Sequence, residues 1–201
     1  MSNYIFAPSP SFGMSDYPFV TYREAFNNDE LTQLINHLDS LTTKRGEVGG
    51  PEGTVDDDKI RSSNIAWLGL NNDTQWIYDR MAYVARALNG QFYKFDLYGF
   101  NEDMQYTVYS GEEQNHYDWH VDTSPSNNFS PRKFSMVLQL SDPLEYVGGD
   151  LQILTSVEPV SVDKEKGLIA AFPSYVLHKV TPVTQGKRKT LVVWICGPSF
   201  R

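Results

Sequence analysis

Apolar positions in the first part of the chain recur with the period of a helix, and further on they come in short runs that fit strands. Leu31, Leu34, Ile35, Leu38 and Leu41 fall at helical spacing behind Asn27 and Glu30, which stand three apart as in a capping box. They predict an amphipathic helix of about three turns. His37 lies off that stripe and reads as a solvated surface residue. Ile77, Met81, Val84, Ala85 and Leu88 predict a second helix, ended at Asn89-Gly90 by a left-handed glycine cap. From Tyr93 onward the strand-like runs are 93–98, 105–109, 134–140, 151–154, 168–172, 176–180 and 190–196. Many short strands with glycine and proline between them imply an antiparallel sandwich or barrel, with the preceding helices on the outside of one sheet, an α+β arrangement. Residues 44–58 hold Gly46, Gly49, Gly50, Gly53, Pro51 and the acidic run Asp56-Asp57-Asp58. With so little apolar surface the segment is expected to be a mobile loop, either a plain connection or a lid over substrate.

Composition narrows the class of protein. A chain of 201 residues that is 40% hydrophobic and 13% aromatic can bury one sizeable core. One domain over 1–201 is expected, with a helical part at 1–90 and a β core at 91–201. Lys+Arg 17 against Asp+Glu 25 leaves a net charge of −8, a field that repels phosphate backbones and anionic membranes, so neither nucleic acid nor membrane is an expected partner. The single cysteine, Cys196, cannot make an internal disulfide and sits in an apolar run, which points to a buried thiol. Residues 1–13 contain Pro8 and Pro10 and no basic residue, unlike a signal peptide, and no long apolar segment follows. A cytoplasmic location is the expectation.

The candidate chemistry lies in His116-Tyr117-Asp118-Trp119-His120-Val121-Asp122, together with His178 and Arg188. In an extended strand, residues two apart share a face, so His116, Asp118, His120 and Asp122 would all point one way. Two neutral imidazoles and one carboxylate on one side of an octahedron hold Fe(II) and leave three positions open for co-substrate and dioxygen. A surface strand of alternating polar residues has the same pattern, so the His-x-Asp pairs by themselves leave both readings open.

The chain resembles the 2-oxoglutarate- and Fe(II)-dependent oxygenases of the prolyl 4-hydroxylase type over roughly residues 61–198. The resemblance is carried by Tyr109, by 117–122, by Tyr146-Val147-Gly148-Gly149-Asp150-Leu151, and by Phe172-Pro173-Ser174 through His178-Lys179-Val180-Thr181-Pro182-Val183-Thr184 to Gly186, Arg188 and Trp194. It implies a distorted double-stranded β-helix, a cupin-like jelly roll, with the N-terminal helices on its major sheet. It further implies His120, Asp122 and His178 as iron ligands and Arg188 as the partner of the distal carboxylate of 2-oxoglutarate, with Tyr109, Thr190 and Trp194 also at the co-substrate. His116-Tyr117-Asp118 is a second His-x-Asp, but the family pattern places an aromatic three residues before the metal histidine, which Tyr117 satisfies for His120. The link from Tyr109 to His120 is about two residues longer than the family usually has, which leaves Tyr106 as the alternative tyrosine. Arg188 suits the carboxylate better than Lys187 or Lys189, because alternate residues of a strand face opposite ways and a guanidinium forks onto a carboxylate in two hydrogen bonds.

The implied activity is hydroxylation of an amino-acid residue, prolyl 4-hydroxylation of a protein or peptide above all, using Fe(II), 2-oxoglutarate and O2, with ascorbate as reductant and succinate and CO2 as co-products. The acidic chain suggests a basic, proline-containing target. Alternatives are a hydroxylase of a free amino acid or other small molecule, a cupin-like metal enzyme that does not use 2-oxoglutarate and so does not need Arg188, and a β-helix interaction module without iron. Asp122 argues against halogenase chemistry, which needs that coordination position for halide. Among the remaining residues, Gly148-Gly149 reads as a bulge or tight turn, Trp119 and Trp194 as core or pocket wall, and Arg61 as a substrate contact or a strand cap.

Overall fold

Both expected helices form, and the first is started by the residues its sequence indicated. In the computed structural model, which describes residues 17–50, 53–55, 57–123, 132–155 and 157–198, the Asn27 side chain accepts the Glu30 N–H and the Glu30 carboxylate accepts the Asn27 N–H, each at 2.9 Å. These bonds satisfy two backbone groups at the helix start. In chain order the elements are β1 (Val20–Tyr22), α1 (Asn28–Asp39), β2 (Lys44–Arg45), β3 (Val48–Gly50), β4 (Gly53–Val55), β5 (Arg61–Ser62), β6 (Asn64–Leu68) and α2 (Gln75–Leu88). There follow β7 (Met104–Ser110), β8 (His116–His120), β9 (Arg132–Gln139), β10 (Tyr146–Gly148), β11 (Leu151–Leu154), β12 (Pro159–Ser161), β13 (Ile169–Pro173), β14 (His178–Val180) and β15 (Val183–Cys196). No helix among the described residues is long and apolar enough to cross a membrane.

Apart from the β3–β4 hairpin, the strands form two antiparallel sheets of unequal size. The larger runs β1-β13-β9-β15-β7-β6-β2 with β10 also on β15, and the smaller runs β12-β11-β14-β8-β5. This is the double-stranded β-helix the resemblance implied. Side-chain alternation divides the larger sheet between two cores. Tyr106, Met136, Leu138, Leu191 and Val193 face α1 and α2 in one apolar cluster, while Tyr109, Val137, Ala170 and Phe172 turn the other way and pack with Leu151, Ile153 and Val180 of the smaller sheet. The helices therefore cover one side of the larger sheet and leave the space between the sheets to the site. Lys189, on the helical side, is paired with Asp39 of α1 at 2.7 Å, and Tyr106 donates to the same carboxylate at 2.5 Å.

Four expectations need correction. No strand forms at 93–98, and α2 is not ended by a left-handed Gly90. The chain instead runs on as one π-helical turn, Asn89–Tyr93, and the left-handed residue is Lys94, with φ of 55°. There the Asn89 side chain accepts the Phe95 N–H at 2.8 Å and donates to the Phe95 carbonyl at 2.9 Å, which satisfies locally the groups a strand would have paired. The segment 44–58, expected to be unstructured, carries β2, paired with β6, and the hairpin of β3 with β4. Arg45 anchors its ends through Asp58, Glu113 and Ser62. Residues 51, 52 and 56 of this segment lie outside the described residues, as do residues 1–16, 124–131, 156 and 199–201. Trp119 is neither core nor pocket wall, being half-buried on the outer face of the smaller sheet, where Lys179 Nζ lies 4.7 Å from its ring centre.

Two glycines shape the approach to the site. Gly148 and Gly149 have φ of 78° and 63°, a region hostile to residues with a Cβ. A Cβ on Gly148 would stand 2.1 Å from the Pro182 carbonyl oxygen, and one on Gly149 would stand 2.9 Å from Cδ of Arg188. The bulge expected here is present, with the register of β10 against β15 shifting between Val147 and Gly148.

Candidate active site

Strand pairing brings together residues nearly sixty positions apart. β14 lies antiparallel to β8 with His178 directly opposite His120, and Asp122 follows two residues after the end of β8. Backbone N–H groups of Asp122 and Thr123 both donate to the Ser174 carbonyl, at 2.8 and 3.0 Å, so the carboxylate is held against the entry to β14. His120, Asp122 and His178 offer three ligand atoms all within 4.8 Å of one another. The Nε2 atoms of His120 and His178 lie 3.8 and 3.6 Å from the Asp122 oxygens.

The protonation pattern of this cluster suits a cation. Nδ1 of His120 lies 2.7 Å from the Asp118 carbonyl and Nδ1 of His178 lies 2.9 Å from the Val176 carbonyl. A carbonyl can only accept, so each Nδ1 carries a proton and each Nε2 is the nitrogen turned toward Asp122. Burial, then the neighbouring His178, lowers the His120 pKa to about 4, which keeps that imidazole neutral at ordinary pH. Burial by itself would raise the Asp122 carboxyl, but His178, His120 and the Ser135 hydroxyl, which donates at 2.7 Å, hold it below the usual carboxylate range. Ser135 in turn lies 2.8 Å from the Ser174 hydroxyl. Two neutral nitrogens and one anionic oxygen make the facial donor set suited to Fe(II), so these residues fit the metal.

A pH prediction follows from His120. Its folded pKa lies below the free value of 6.5, so between about 4 and 6.5 the unfolded chain binds more protons than the folded one. Stability of the metal-free protein should therefore fall as pH drops through that window. Melting temperatures measured across it should show the fall in the wild type and a shallower one in His120→Gln.

His116 is not part of this cluster, for a reason the strand period conceals. Tyr117 of β8 pairs with Val180 although His120 pairs with His178, so β8 carries one extra residue between them. This bulge reverses the alternation. Tyr117 and His120 come to the same, inner face, their rings stacked at 3.5 Å and 12°. His116 turns out, with its ring nitrogens 3.3 Å from the carbonyls of Gln114 and Lys59, beside Arg45 and Asp58, and Asp118 is exposed.

Arg188 is the most unusual group between the sheets. It is only 1% exposed, and no carboxylate among the described residues lies within 4.0 Å of it. Its Nη2 donates to Oε1 of Gln139 at 3.2 Å, and its Nε is buried with no partner. A buried guanidinium without a close anion costs on the order of several kcal/mol; Asp150, whose carboxyl feels this charge, is itself paired with Lys164 at 2.9 Å. The arrangement fits a bound carboxylate. Tyr109 lies beside it, with the guanidinium carbon 5.4 Å from the ring centre. Tyr106 is excluded from this space because it faces α1. Thr190 and Trp194 share the inner face of β15 with Arg188; Thr190 is buried opposite Gln139, and the Trp194 indole N–H is buried without a partner, with the Arg132 guanidinium 3.7 Å from its ring centre.

Ser135, Gln139 and the stacking of Tyr117 were not evident from the sequence. Serine and glutamine inside an otherwise apolar strand, at positions sharing one face, are the signal that singles out the first two. Nothing local marks the bulge. Arg61, left open between two roles, is a buried residue of the smaller sheet. It bonds to Ser63 at 2.9 Å and Gln105 at 2.7 Å, and its guanidinium carbon lies 4.8 Å from the Tyr117 ring centre.

Comparison with known proteins agrees with this geometry. Residues 104–196 match the profile of the 2OG-Fe(II) oxygenase superfamily. The chain is 38% identical over 92 residues to a PKHD-type hydroxylase of Nitrosomonas europaea, a match covering 43% of this chain and 40% of that protein. It is 39% identical over 83 residues to another of Teredinibacter turnerae, covering 39% and 37%. The match thus spans about two fifths of the length of these curated relatives. Among solved structures, a prolyl-4-hydroxylase of Pseudomonas putida superposes with a TM-score of 0.68 at 20% identity over 90% of this chain and 94% of that one. A prolyl hydroxylase of Trichoplax adhaerens, in complex with a hypoxia inducible factor peptide fragment, gives 0.71 at 18% identity over 90% and 84%. At these identities the structural likeness speaks for the fold.

Proposed function

We propose that this chain, whose residues 104–196 match the profile of the 2OG-Fe(II) oxygenase superfamily, is an Fe(II)- and 2-oxoglutarate-dependent dioxygenase that hydroxylates an amino-acid residue, a prolyl residue of a protein or peptide above all. The observation that carries the reading is the presence of a half-buried His120 with buried Asp122 and His178 in one cluster, together with a buried Arg188 that has no carboxylate within 4.0 Å among the described residues. A metal enzyme without 2-oxoglutarate has no use for that cation.

In this reading, His120 and His178 supply neutral nitrogen donors, and Asp122 supplies the negative charge that offsets part of the metal's charge. Ser135 keeps the carboxylate oriented through its hydrogen bond. Arg188 takes the far carboxylate of 2-oxoglutarate in a forked pair, and Gln139 holds the guanidinium in place. Leu151, Ile153, Phe172 and Val180 keep the space between the sheets apolar and exclude water. The iron and 2-oxoglutarate supply the oxidation of a C–H bond by dioxygen, with succinate and CO2 released. The net charge of −8 favours a basic target by attraction at a distance.

The test is succinate release with Fe(II), 2-oxoglutarate and ascorbate, run against proline-containing peptides of differing charge, with mass spectrometry to find a peptide that gains one oxygen. Gain of oxygen on proline, greatest for basic peptides and weakened by salt, is the expected result. Turnover confined to a free amino acid would replace the peptide with a small-molecule substrate. Failure of 2-oxoglutarate to bind the metal-loaded protein would sink the reading.

A further inference from the structure

Between the two sheets runs a continuous column of planar groups, of which Arg61, Tyr117 and Phe172 have no direct part in the proposed chemistry. It begins at the Arg61 guanidinium, 4.8 Å from the Tyr117 ring centre, and passes to His120, whose ring lies 3.5 Å from Tyr117 at an interplanar angle of 12°. From there it reaches His178 at 4.2 Å and 52°, and Phe172 at 4.6 Å and 57°. Two of its five members are the imidazoles of the metal cluster.

We infer that Tyr117, backed by Arg61, is a positioning pair for the His120 imidazole. This rests on the reading of His120 as a metal ligand. The Nδ1 bond to the Asp118 carbonyl fixes one edge of the His120 ring, but a single hydrogen bond leaves the ring free to swing about it. A parallel ring 3.5 Å away removes that freedom. The contact exists only because of the bulge in β8, which brings residues three apart onto one face. Without the extra residue Tyr117 would point outward.

Tyr117 is itself held in place. Arg61 is directly opposite it in the β5–β8 pairing and is only 6% exposed. Arg61 Nε donates to Ser63, Nη2 to Gln105, and Nη1 to the Glu47 carbonyl at 3.4 Å, all neutral acceptors. A Cβ on Gly46 would stand 2.8 Å from that Nε, so the backbone at the root of the 44–58 segment closes over the guanidinium. A buried cation with neutral partners and a ring within reach favours the ring's electron-rich face. The contact is made by the ring faces and does not need the Tyr117 hydroxyl.

Co(II) serves as the probe, because its visible absorption reports ligand geometry independently of turnover. Calorimetric affinity and the Co(II) spectrum would be measured for the wild type, His120→Ala, Tyr117→Phe, Tyr117→Leu and Arg61→Met, with melting temperatures of the metal-free proteins alongside. Tyr117→Phe keeps the stack and should retain affinity and spectrum. Tyr117→Leu should weaken Co(II) binding about 10- to 100-fold, as loss of an outer partner of a metal ligand does, and alter the spectrum. Arg61→Met should weaken it by a smaller factor, about threefold to tenfold. If the wild type fails to bind Co(II), or His120→Ala binds equally well, the metal-site reading itself is wrong. If those two controls behave and Tyr117→Leu matches the wild type, only the positioning role falls. A loss in Tyr117→Phe as large as in Tyr117→Leu would assign the effect to the hydroxyl and overturn the stack. Should Tyr117→Leu not fold, Arg61→Met decides, since an unchanged affinity and spectrum there would overturn the inference.

Discussion

Asp122→Ala is expected to abolish succinate release and to weaken Fe(II) binding by at least about 100-fold, the upper end of what loss of a mere outer partner costs. The carboxylate is the sole anion of the cluster, and it lies between the Nε2 atoms of His120 and His178. Its removal leaves two neutral nitrogens to bind a dication in a buried place, where charge is poorly screened. The fold should survive, because the Ser135 hydroxyl that Asp122 accepts from can donate to Ser174, 2.8 Å away. Metal titration, with circular dichroism to check folding, tests this. A folded Asp122→Ala that binds Fe(II) as the wild type does would remove Asp122 from the ligand set.

Arg188→Met should produce two large changes of opposite sign. Affinity for 2-oxoglutarate in the metal-loaded protein should fall by about 30-fold or more, corresponding to the ~2–5 kcal/mol lost when one partner of a buried charge pair is removed. The ligand-free protein should become more stable, by about 1–4 kcal/mol, since methionine fills much of the same volume without an uncompensated buried charge. Metal affinity should stay within a few-fold of wild type, on the order of the small coupling between non-touching groups. Arg188→Lys should not restore 2-oxoglutarate binding fully, because a single ammonium cannot reproduce the fork. The decisive comparison is thermal stability with and without 2-oxoglutarate: protection in the wild type and none in the variant. Undiminished protection in Arg188→Met would place the co-substrate carboxylate elsewhere and favour a metal enzyme that does without it.

The parts of the fold readable from sequence are those governed by neighbours along the chain. The capping pair Asn27 and Glu30 started α1 where expected, and the apolar stripe of α2 packs on the sheet. Strands β7, β9, β11, β13 and β15 lie where the apolar runs are. The run at 93–98 misled because its aromatic residues suit a helix end packed on a core as well as a strand; Tyr93 packs on Phe134 at 5.2 Å. Strands as short as β2, β5 and β10 have no periodicity long enough to detect. They exist because a neighbouring strand offers unpaired backbone groups, which only the assembled sheet supplies.

In the site, residue types and spacing were legible and their orientation was not. The sequence by itself offered the donor types, imidazoles and carboxylates at His-x-Asp spacing with a later histidine and arginine, because that chemistry resides in the side chains; the ligand set His120, Asp122 and His178 came from the family resemblance. The sequence also determined that Arg188 faces opposite to Lys189, since β15 is regular there. Which histidine serves was a different matter. Strict alternation puts His116 with His120, and the bulge in β8 separates them while bringing Tyr117 onto His120. A bulge is decided by how two strands match along their length, so neither strand's sequence announces it. That no carboxylate among the described residues lies within 4.0 Å of Arg188 is equally a property of the closed β-helix, because which groups surround a charge is settled only when every neighbouring strand is in place. Local chemistry could thus be read residue by residue, whereas facing, burial and compensation of charge depended on contacts between strands far apart in the chain.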